Sequence, residues 1–291
     1  MTALTWDGTG ERFYETGVDH GVLYIPDAGG VYDDGVAWNG LVSVTEKPSG
    51  AEPNAQFADN IKYLNLFSAE EFGATLEAFT FPDEFAEFDG LSVPEPGVTV
   101  GQQARKVFGL SYRTKVGNDI EGDDLGYKLH LIWGCKASPS EKAYTTVSDS
   151  PEPITFSWEV TTTPALVTGL KPTSIITIDS RTADAAALAA LETALYGTVG
   201  VDPALPTPDA VIALFDGTFT VITGDMLTAP TYDSGADEIT IPVVTGVTYY
   251  IDGEVVTGDV VITEDTVVTA QPNAGYVFGP TAVNAWFINF S

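Results

Sequence analysis

The chain has 291 residues, 44% hydrophobic and 11% aromatic, which is enough apolar surface for a folded core and excludes a disordered chain. Its 41 acidic and 12 basic side chains give a formal net charge of −29, which excludes binding of nucleic acid through neutralised phosphates. No apolar run approaches the roughly 18 residues of a membrane span, the N-terminus lacks a secretory signal, and a single cysteine excludes an internal disulfide and fits a reducing cytosol.

The N-terminal third predicts short strands that are separated by loops. β-branched and aromatic residues favour strands, and they concentrate at residues 21–26, 36–46, 61–67 and 75–81. Within the second of these segments, Gly40 is expected to form a bulge. Residues 47–60, rich in Pro, Ala and polar side chains, and the acidic, proline-broken residues 82–97 predict loops.

The clearest strand pattern lies in residues 105–163. Apolar and polar side chains alternate with a period of two, which places them on opposite faces of a strand, in residues 105–116, 126–136 and 154–161. The predicted apolar faces consist of Phe108, Leu110 and Tyr112, then Tyr127, Leu129, Leu131 and Trp133, then Ile154, Phe156, Trp158 and Val160. Cys135, one step beyond Trp133, is expected on the same face as a small buried hydrophobic residue. A functional surface is expected on the opposite, polar face.

No pattern in the sequence predicts catalysis, a metal or a cofactor. A Gly-rich phosphate loop, a His/Cys metal spacing and a nucleophile elbow are all absent. The acidic turn at residues 119–124 offers carboxylates to a hard cation, but an EF-hand that starts at Asp119 requires Glu where His130 stands. A solvated hairpin tip is therefore preferred over an ion site. His20 and His130 are far apart in sequence, and a structural or interface role is expected rather than catalysis.

A strand at residues 174–180 precedes the one predicted helix, at residues 184–196. Thr182 or Asp184 is expected to cap this helix, and Gly197 to end it. Leucine and alanine residues at helical spacing give it one apolar stripe for packing on a sheet.

The C-terminal part predicts strands and turns. Asp216-Gly217 between the apolar runs 209–215 and 218–222 predicts a β-hairpin. Residues 229–237 predict a domain boundary, and strands follow at residues 239–244, 247–251, 255–256, 260–263, 266–271, 276–278 and 285–290. Residues 238–291 therefore predict a small β-sandwich. It resembles the compact immunoglobulin-like modules that are appended to phage and bacterial surface proteins.

An ordered series of segments in residues 1–228 matches the pattern of a known family. These segments are residues 17–24 (GVDHGVLY), 80–85 (TFPDEF), 108–114 (FGLSYRT), 117–119 (GND), 126–131 (GYKLHL), 148–152 (SDSPE), 156–159 (FSWE) and 161–164 (TTTP). On them the chain resembles the major tail tube protein of bacteriophages with long, non-contractile tails (the siphovirus type), in particular phages of actinobacteria.

The resemblance implies a mainly β fold, with a tail-tube β-sandwich or barrel domain at residues 1–228 and one flanking helix at about residues 184–196. A linker at residues 229–237 and the immunoglobulin-like module would complete the chain. The implied function is that of a structural virion protein, not an enzyme, which forms the stacked hexameric rings of the tail tube through which DNA enters the host cell. The implied partners are further copies of the chain, the tape measure protein, and the tail terminator and tip proteins, without cofactor or membrane. Assembly would take place in the host bacterial cytoplasm.

The basic residues suggest where subunits would meet. All 12 lie at or before Arg181, and seven of them lie between Arg105 and Lys142. We expect these cations to pair with acids of neighbouring subunits, because a lumen lined with Arg and Lys would bind DNA, whereas an acidic lumen lets it slide. The candidate inter-subunit or lumen positions are Arg105, Lys106, Arg113, Lys115, Lys128, His130, Thr155, Ser157, Glu159 and Thr161.

Two other classes of protein stay open. An extracellular β-rich binding or adhesion module predicts a signal peptide, and a carbohydrate-active β protein predicts a pocket with exposed aromatic side chains and two carboxylates. For a tail tube, the strand face that lines the lumen and the loop that contacts the next ring are also open.

Overall fold

The computed structural model describes residues 5–50, 52–147, 149, 152–198, 200–217, 220–224, 226–273, 276–279 and 282–290. The chain forms two compact units. The first extends to Arg181, apart from Asp33–Gly35, which group with the second, and the second begins at Thr182. Strand accounts for 49% and helix for 9%, so the fold is mainly β, as the sequence predicts.

One large sheet dominates the first unit. The strands of this unit are β1 (Tyr14–Pro26), β2 (Tyr32–Trp38), β3 (Leu41–Glu46), β4 (Ser49–Gly50), β5 (Pro53–Ala58), β6 (Ile61–Phe67), β7 (Glu70–Glu71), β8 (Gly73–Ala78), β9 (Ser92–Glu95), β10 (Val98–Val100), β11 (Phe108–Asn118), β12 (Gly122–Ala137), β13 (Phe156–Thr162) and β14 (Ile175–Asp179). The sheet has the order β2-β1-β11-β12-β13-β8-β3, with β14 paired to β12. Three small pairs, β4–β7, β5–β6 and β9–β10, lie outside it. The loops predicted at residues 47–60 and 82–97 are therefore partly strand.

The sheet curls so that its two end strands come close. β2 and β3 are the outermost strands, yet only Asn39 and Gly40 separate them in the chain. A sheet whose ends are joined by so short a turn must roll towards closure, as a barrel does. Gly40 has a φ of 78°, the positive value that a tight turn requires. The prediction of a single strand at residues 36–46 with a bulge at Gly40 is therefore wrong.

Aromatic side chains fill the inside of the curled sheet. Phe85 lies on a short 3₁₀ helix, Asp83–Glu87. Its ring centroid is 4.6 Å from that of Trp38 on β2, 5.5 Å from that of Phe108 on β11 and 5.2 Å from that of Trp158 on β13. All four side chains are buried, and ring pairs at these distances stabilise a core beyond their buried area. Phe85 thus connects distant strands of the sheet.

Strand β12 changes its partner at Gly134. Before this glycine β12 pairs with β14, and after it β12 pairs with β13. Gly134 has a φ of 66°, and its carbonyl oxygen accepts a hydrogen bond from the Thr163 N–H at 3.0 Å. The sheet can therefore bend here without losing its backbone hydrogen bonds.

The irregularity at Gly134 also decides where Cys135 lies. Leu110 pairs with Ile132, but Phe108 pairs with Cys135, so β12 has one extra residue in this interval. Cys135 consequently joins the buried cluster that contains Phe108. Cys135 is buried as expected, but the prediction that it shares a strand face with Trp133 is wrong.

The pairing of β11 with β12 buries both faces in the middle of the sheet. Tyr112 pairs with His130, so Leu129 and Leu131, which alternate with His130, lie on the opposite face from Tyr112 and Leu110. All five side chains are buried. The prediction of one apolar and one polar face is wrong here, because alternation within each strand does not give the phase between two strands.

The second unit combines two helices with small sheets. Its elements are α1 (Ala185–Tyr196), α2 (Pro208–Phe215), β15 (Thr220–Ile222), β16 (Thr231–Asp233), β17 (Glu238–Ile241), β18 (Val247–Ile251), β19 (Glu254–Val256), β20 (Gly258–Val261), β21 (Thr266–Pro272), β22 (Tyr276–Phe278) and β23 (Ala285–Ile288). The sheets are β16-β17-β20 and β19-β18-β21-β23, and β15 pairs in parallel with β22. Ile222 and Leu227 share one buried cluster with Ile239 and Val268. The C-terminal core thus begins before the boundary that the sequence predicts at residues 229–237.

Helix α1 agrees with its prediction. The side chain of Asp184 accepts hydrogen bonds from the N–H groups of Ala186 and Ala187, at 3.1 and 2.9 Å, and Gly197 ends the helix. Its buried residues are Ala187, Leu188, Leu191 and Leu195. Neither helix among the described residues has the length and apolar character that a bilayer crossing requires.

The hairpin predicted around Asp216-Gly217 is wrong. Its first half is helix α2, with Thr207 as N-cap and Pro208 at the start. A short apolar run does not distinguish strand from helix. The sequence signal that favours a helix here is Thr207 followed by Pro208, an N-cap residue and a proline at the first helical position. In the second half, Thr218 and Phe219 lie outside the described residues, and β15 pairs with β22 instead of residues 209–215.

The close approach at Gly134 gives a stability prediction with a matched control. A Cβ at Gly134 would lie 2.3 Å from the Thr163 carbonyl oxygen, whereas a Cβ at Gly122, which has the same φ of 66°, meets nothing within 4 Å. Gly122→Ala should cost about 1–2 kcal/mol from backbone strain alone. Gly134→Ala should cost at least about 2 kcal/mol more, because the backbone must move. Urea unfolding followed by tryptophan fluorescence measures both, and equal losses would contradict the proposed role of Gly134.

Candidate functional site

Several of the predicted candidate cations form ion pairs within the chain itself. The Nζ of Lys106 lies 2.5 Å from the Glu87 carboxylate, and the Nζ of Lys115 lies 2.9 Å from that of Asp123. The hydrogen bond between Lys115 and Asp123 raises the pKa of Lys115 and lowers the pKa of Asp123. Lys128 forms an ion pair with Glu15. Pairs at such an exposed surface add little to stability, but they neutralise charge that a neighbour could otherwise use.

A buried carboxylate, Asp89, holds two further cations. Its side chain is 4% exposed, and the Nζ of Lys142 lies 2.5 Å from one carboxylate oxygen. Arg105 lies 3.6 Å from the other oxygen and donates to the Asp89 backbone carbonyl at 2.9 Å. A buried carboxylate needs such partners, since an unpaired charge in the interior is strongly destabilising. Arg105 therefore has a structural role within the first unit of the chain.

Arg113 is the centre of a small polar cluster on β1, β11 and β12. Its Nε donates to the Asp19 carboxylate at 3.0 Å, and its guanidinium stacks over the Tyr127 ring at 4.6 Å. The nitrogen Nδ1 of His20 lies 2.8 Å from a terminal guanidinium nitrogen. Partial burial raises the pKa of Asp19, but the hydrogen bonds and charges of Arg113 and His20 outweigh it, so this pKa lies below its ordinary value. The charge of Arg113 is thus paired within the chain itself.

His130 is buried rather than displayed on a polar surface. Its Nε2 lies 3.0 Å from the Thr114 hydroxyl and its Nδ1 lies 3.3 Å from the Thr177 hydroxyl. The imidazole stacks on Tyr112 with centroids 4.6 Å apart, and the Tyr112 hydroxyl donates to Glu46 at 3.0 Å. Burial lowers the pKa of His130, and the nearby Glu46 carboxylate only partly opposes this. The ring is therefore held neutral near pH 7.

The candidate positions on β13 face outward, as alternation predicts. Trp158 and Val160 are buried in the core of the sheet, whereas Glu159 and Thr161 are exposed and Ser157 is half-buried. Thr155 is exposed and precedes the strand. Glu159 lies 3.5 Å from the Nζ of Lys47. The structure brings these polar groups to one surface, but they are not gathered around a cavity with the cations of β11 and β12.

The cations that are left without an acid lie elsewhere. Among the residues that the structure describes, Lys62, Lys136 and Lys171 have no ion-pair partner. Only Lys136 falls in the predicted basic segment. Unpaired basic charge is therefore small in the segment from Arg105 to Lys142, where the sequence predicts contacts between copies.

The sequence-based interpretation missed a hairpin of apolar side chains. Strands β5 and β6 pair only with each other, outside the main sheet. Phe57 is 72% exposed, Tyr63 67% and Phe67 66%. Ile61, Leu64 and Leu66 are exposed as well. Because side chains alternate along a strand, both faces of this hairpin present large apolar groups.

Such a hairpin is unusual for a surface that meets only water. An isolated two-stranded hairpin is marginally stable by itself, and exposed apolar patches of this kind mark sites of interaction. The prediction of strand at residues 61–67 is confirmed, but residues 53–58 were assigned to a loop. The sequence signal that could have predicted their pairing is the dipeptide Asp59-Asn60, because both residue types tolerate the positive φ of a two-residue hairpin turn. In the structure their φ values are 51° and 62°.

Carboxylates of the acidic turn at residues 119–124 make contacts within the chain. Asp119 accepts a hydrogen bond from the Gly10 N–H at 3.0 Å and lies 3.7 Å from a guanidinium nitrogen of Arg12. Asp123 is engaged by Lys115. Within the described ranges, no group of three or more His, Cys, Asp or Glu side chains is placed to hold a metal ion.

Comparison with known proteins adds no relative, since no protein family and no curated protein matches the sequence. What the fold and its surface define is a class: a mainly β protein of two compact units, whose first unit presents an apolar hairpin.

The buried imidazole predicts a pH dependence of folding. Because the folded pKa of His130 lies below its unfolded value of about 6.5, the unfolded chain binds more protons between the two values. The stability that the neutral ring contributes is thus complete above about pH 6.5 and is lost as the pH falls towards the folded pKa, with a slope of at most about 1.4 kcal/mol per pH unit. Urea unfolding of the wild type and of His130→Gln between pH 7 and 5 measures this, and parallel curves would contradict it.

Proposed function

We propose that the protein is a structural subunit that assembles with copies of itself into stacked hexameric rings of a bacteriophage tail tube, the conduit for DNA delivery. The observation on which this rests most is the β5–β6 hairpin, with apolar side chains exposed on both faces. A soluble chain gains free energy by covering such a surface, at roughly 25 cal/mol per Å². In a homo-oligomer, every copy both offers this hairpin and receives one.

The curled main sheet supports the same proposal. A rolled, mainly antiparallel sheet gives each subunit a rigid wall, from which an appended hairpin can reach a neighbour. Contacts of this head-to-tail kind close into rings or propagate as stacks. The resemblance of residues 1–228 to tail tube proteins specifies the hexameric ring among these outcomes.

The charge of the protein fits a conduit for DNA. A net charge of −29 repels phosphate. Most cations of the segment from Arg105 to Lys142 are paired with acids of the same chain, so few are available to hold the backbone of a passing DNA duplex. The DNA would therefore slide through the lumen without specific binding.

The same proposal places the protein in the virion tail after assembly in the host cytoplasm, with a non-enzymatic role. The tape measure protein and the terminator and tip proteins are its proposed partners. Internal pairing of Arg113 and Lys115 argues against these two cations as the main inter-subunit contacts. The hairpin takes their place in the proposal.

Electron microscopy of the purified protein tests this assembly. We expect rings or tubes from the wild type, and monomers from the double variant Tyr63→Ser with Leu66→Ser, which removes two exposed apolar groups from the hairpin. Both side chains are exposed, so the fold of the monomer should be unchanged by circular dichroism. The matched control, Val255→Ser with Val261→Ser, removes exposed apolar groups of the second unit and should assemble normally.

Two results would count against the proposal. A wild type that stays monomeric at every concentration and binds surface glycans would favour the extracellular adhesion module. Normal tubes from the hairpin variant would show that the exposed apolar side chains are not the contact.

A further inference from the structure

A cavity of about 690 Å³ lies in the first unit beside the base of the β5–β6 hairpin. Its lining includes Phe67, Phe72, Pro164, Lys171, Pro172 and Ser174. The aromatic and proline rings make most of this wall apolar. A guest with an apolar body is therefore the kind that the cavity fits.

Two polar features of the cavity have unused bonding capacity. Lys171 is exposed and has no ion-pair partner among the residues described. The hydroxyl of Ser174 is buried and, within the same residues, lacks a hydrogen-bond partner, which is costly for a buried polar group. Glu70 adds one carboxylate to the same rim. The guest should therefore bring a carboxylate towards Lys171, and a cation would suit Glu70.

The tip of the β5–β6 hairpin has these properties. Asp59 and Asn60 form its turn, and Phe57 and Ile61 flank the turn with exposed apolar side chains. Lys62 follows directly and is free of ion pairs within the described part of the chain. One carboxylate, one ammonium and two apolar groups thus lie together at the tip of the hairpin. The rim offers the complementary set of an ammonium, a carboxylate and apolar rings.

The hairpin cannot reach the cavity of its own chain. Phe67, which lines the cavity, is the last residue of β6, and the seven residues of that strand place the tip about 20 Å away at roughly 3.4 Å per residue. The chain would have to break the hairpin to fold its tip back onto its base. A second copy of the chain does not meet this constraint.

We propose that the hairpin tip of one copy binds the cavity at the hairpin base of the next, with Asp59 beside Lys171. This inference rests on the proposed self-assembly and names the contact that would produce it. The contact joins two different surfaces of the same chain, so each bound copy presents a free tip and a free cavity to further copies. The apolar side chains supply the burial, and the charges select the register.

A charge exchange tests the contact. Asp59→Lys and Lys171→Asp should each raise the protein concentration needed for assembly by about tenfold or more, because an attraction becomes a repulsion at every contact. The double variant restores opposite charges and should assemble at a concentration close to that of the wild type. Lys136→Asp reverses another cation that lacks an acid partner and should have no effect. Sedimentation and electron microscopy measure assembly for all four variants.

The outcomes separate this inference from the proposed function. If the wild type assembles but the single variants do so equally well, or the double variant is not rescued, the contact is wrong and the self-assembly proposal stands. If the wild type forms no assembly at any concentration, both are overturned. Impaired assembly of both single variants, together with restored assembly of the double variant, supports the contact.

Cross-linking gives a second measurement that does not depend on the assembled state being stable. Asp59→Cys and Lys171→Cys proteins are mixed and oxidised, so that only contacts between copies join the two new thiols. The native Cys135 is buried and burial raises the pKa of its thiol, so it should not compete. We expect a disulfide-linked dimer from this mixture and none when Lys136→Cys replaces Lys171→Cys; equal yields would overturn the proposal.

Discussion

The contact of Phe85 with three strands is the interaction on which the first unit depends. The main sheet has its two end strands joined by a two-residue turn, so it must curl, and a curled sheet needs a filled interior. Phe85 enters that interior from a 3₁₀ helix and packs on Trp38, Phe108 and Trp158 together. Local helix and distant strands therefore stabilise one another.

The curled sheet sets the positions of the surface groups. Because β12 exchanges β14 for β13 at Gly134, its residues before and after this glycine lie against different strands. Arg113 meets Asp19 because β11 pairs with β1, and Lys115 meets Asp123 across the β11–β12 hairpin. These cations are paired with acids of the same chain, so little of their charge is available to a partner.

Two features of the first unit are uncovered or unpaired within the described residues. The β5–β6 hairpin stands outside the main sheet and exposes large side chains on both faces, while the cavity at its base has a cation and a buried hydroxyl without partners among the described residues. The hairpin needs a surface that covers its apolar side chains, and the cavity needs a guest with an apolar body and a carboxylate. A chain that repels its own copies through a net charge of −29 requires a strong short-range attraction to assemble, and apolar burial is a contact interaction that salt does not screen.

The sequence by itself determined the features that neighbouring residues control. Asp184 caps α1 and Gly197 ends it where predicted, and alternation placed Trp158 inward and Glu159 outward. Only the tertiary structure decided the phase between β11 and β12, the face of Cys135, the partners of Arg113 and Lys115, and the isolation of the β5–β6 hairpin. Each of these depends on which distant strand lies alongside, and local patterns contain the period of a strand but not its register with another. The candidate site therefore differs from the charged segment that the sequence predicts. In the folded chain most of those charges form ion pairs within the chain, whereas the apolar side chains of the β5–β6 hairpin stay exposed.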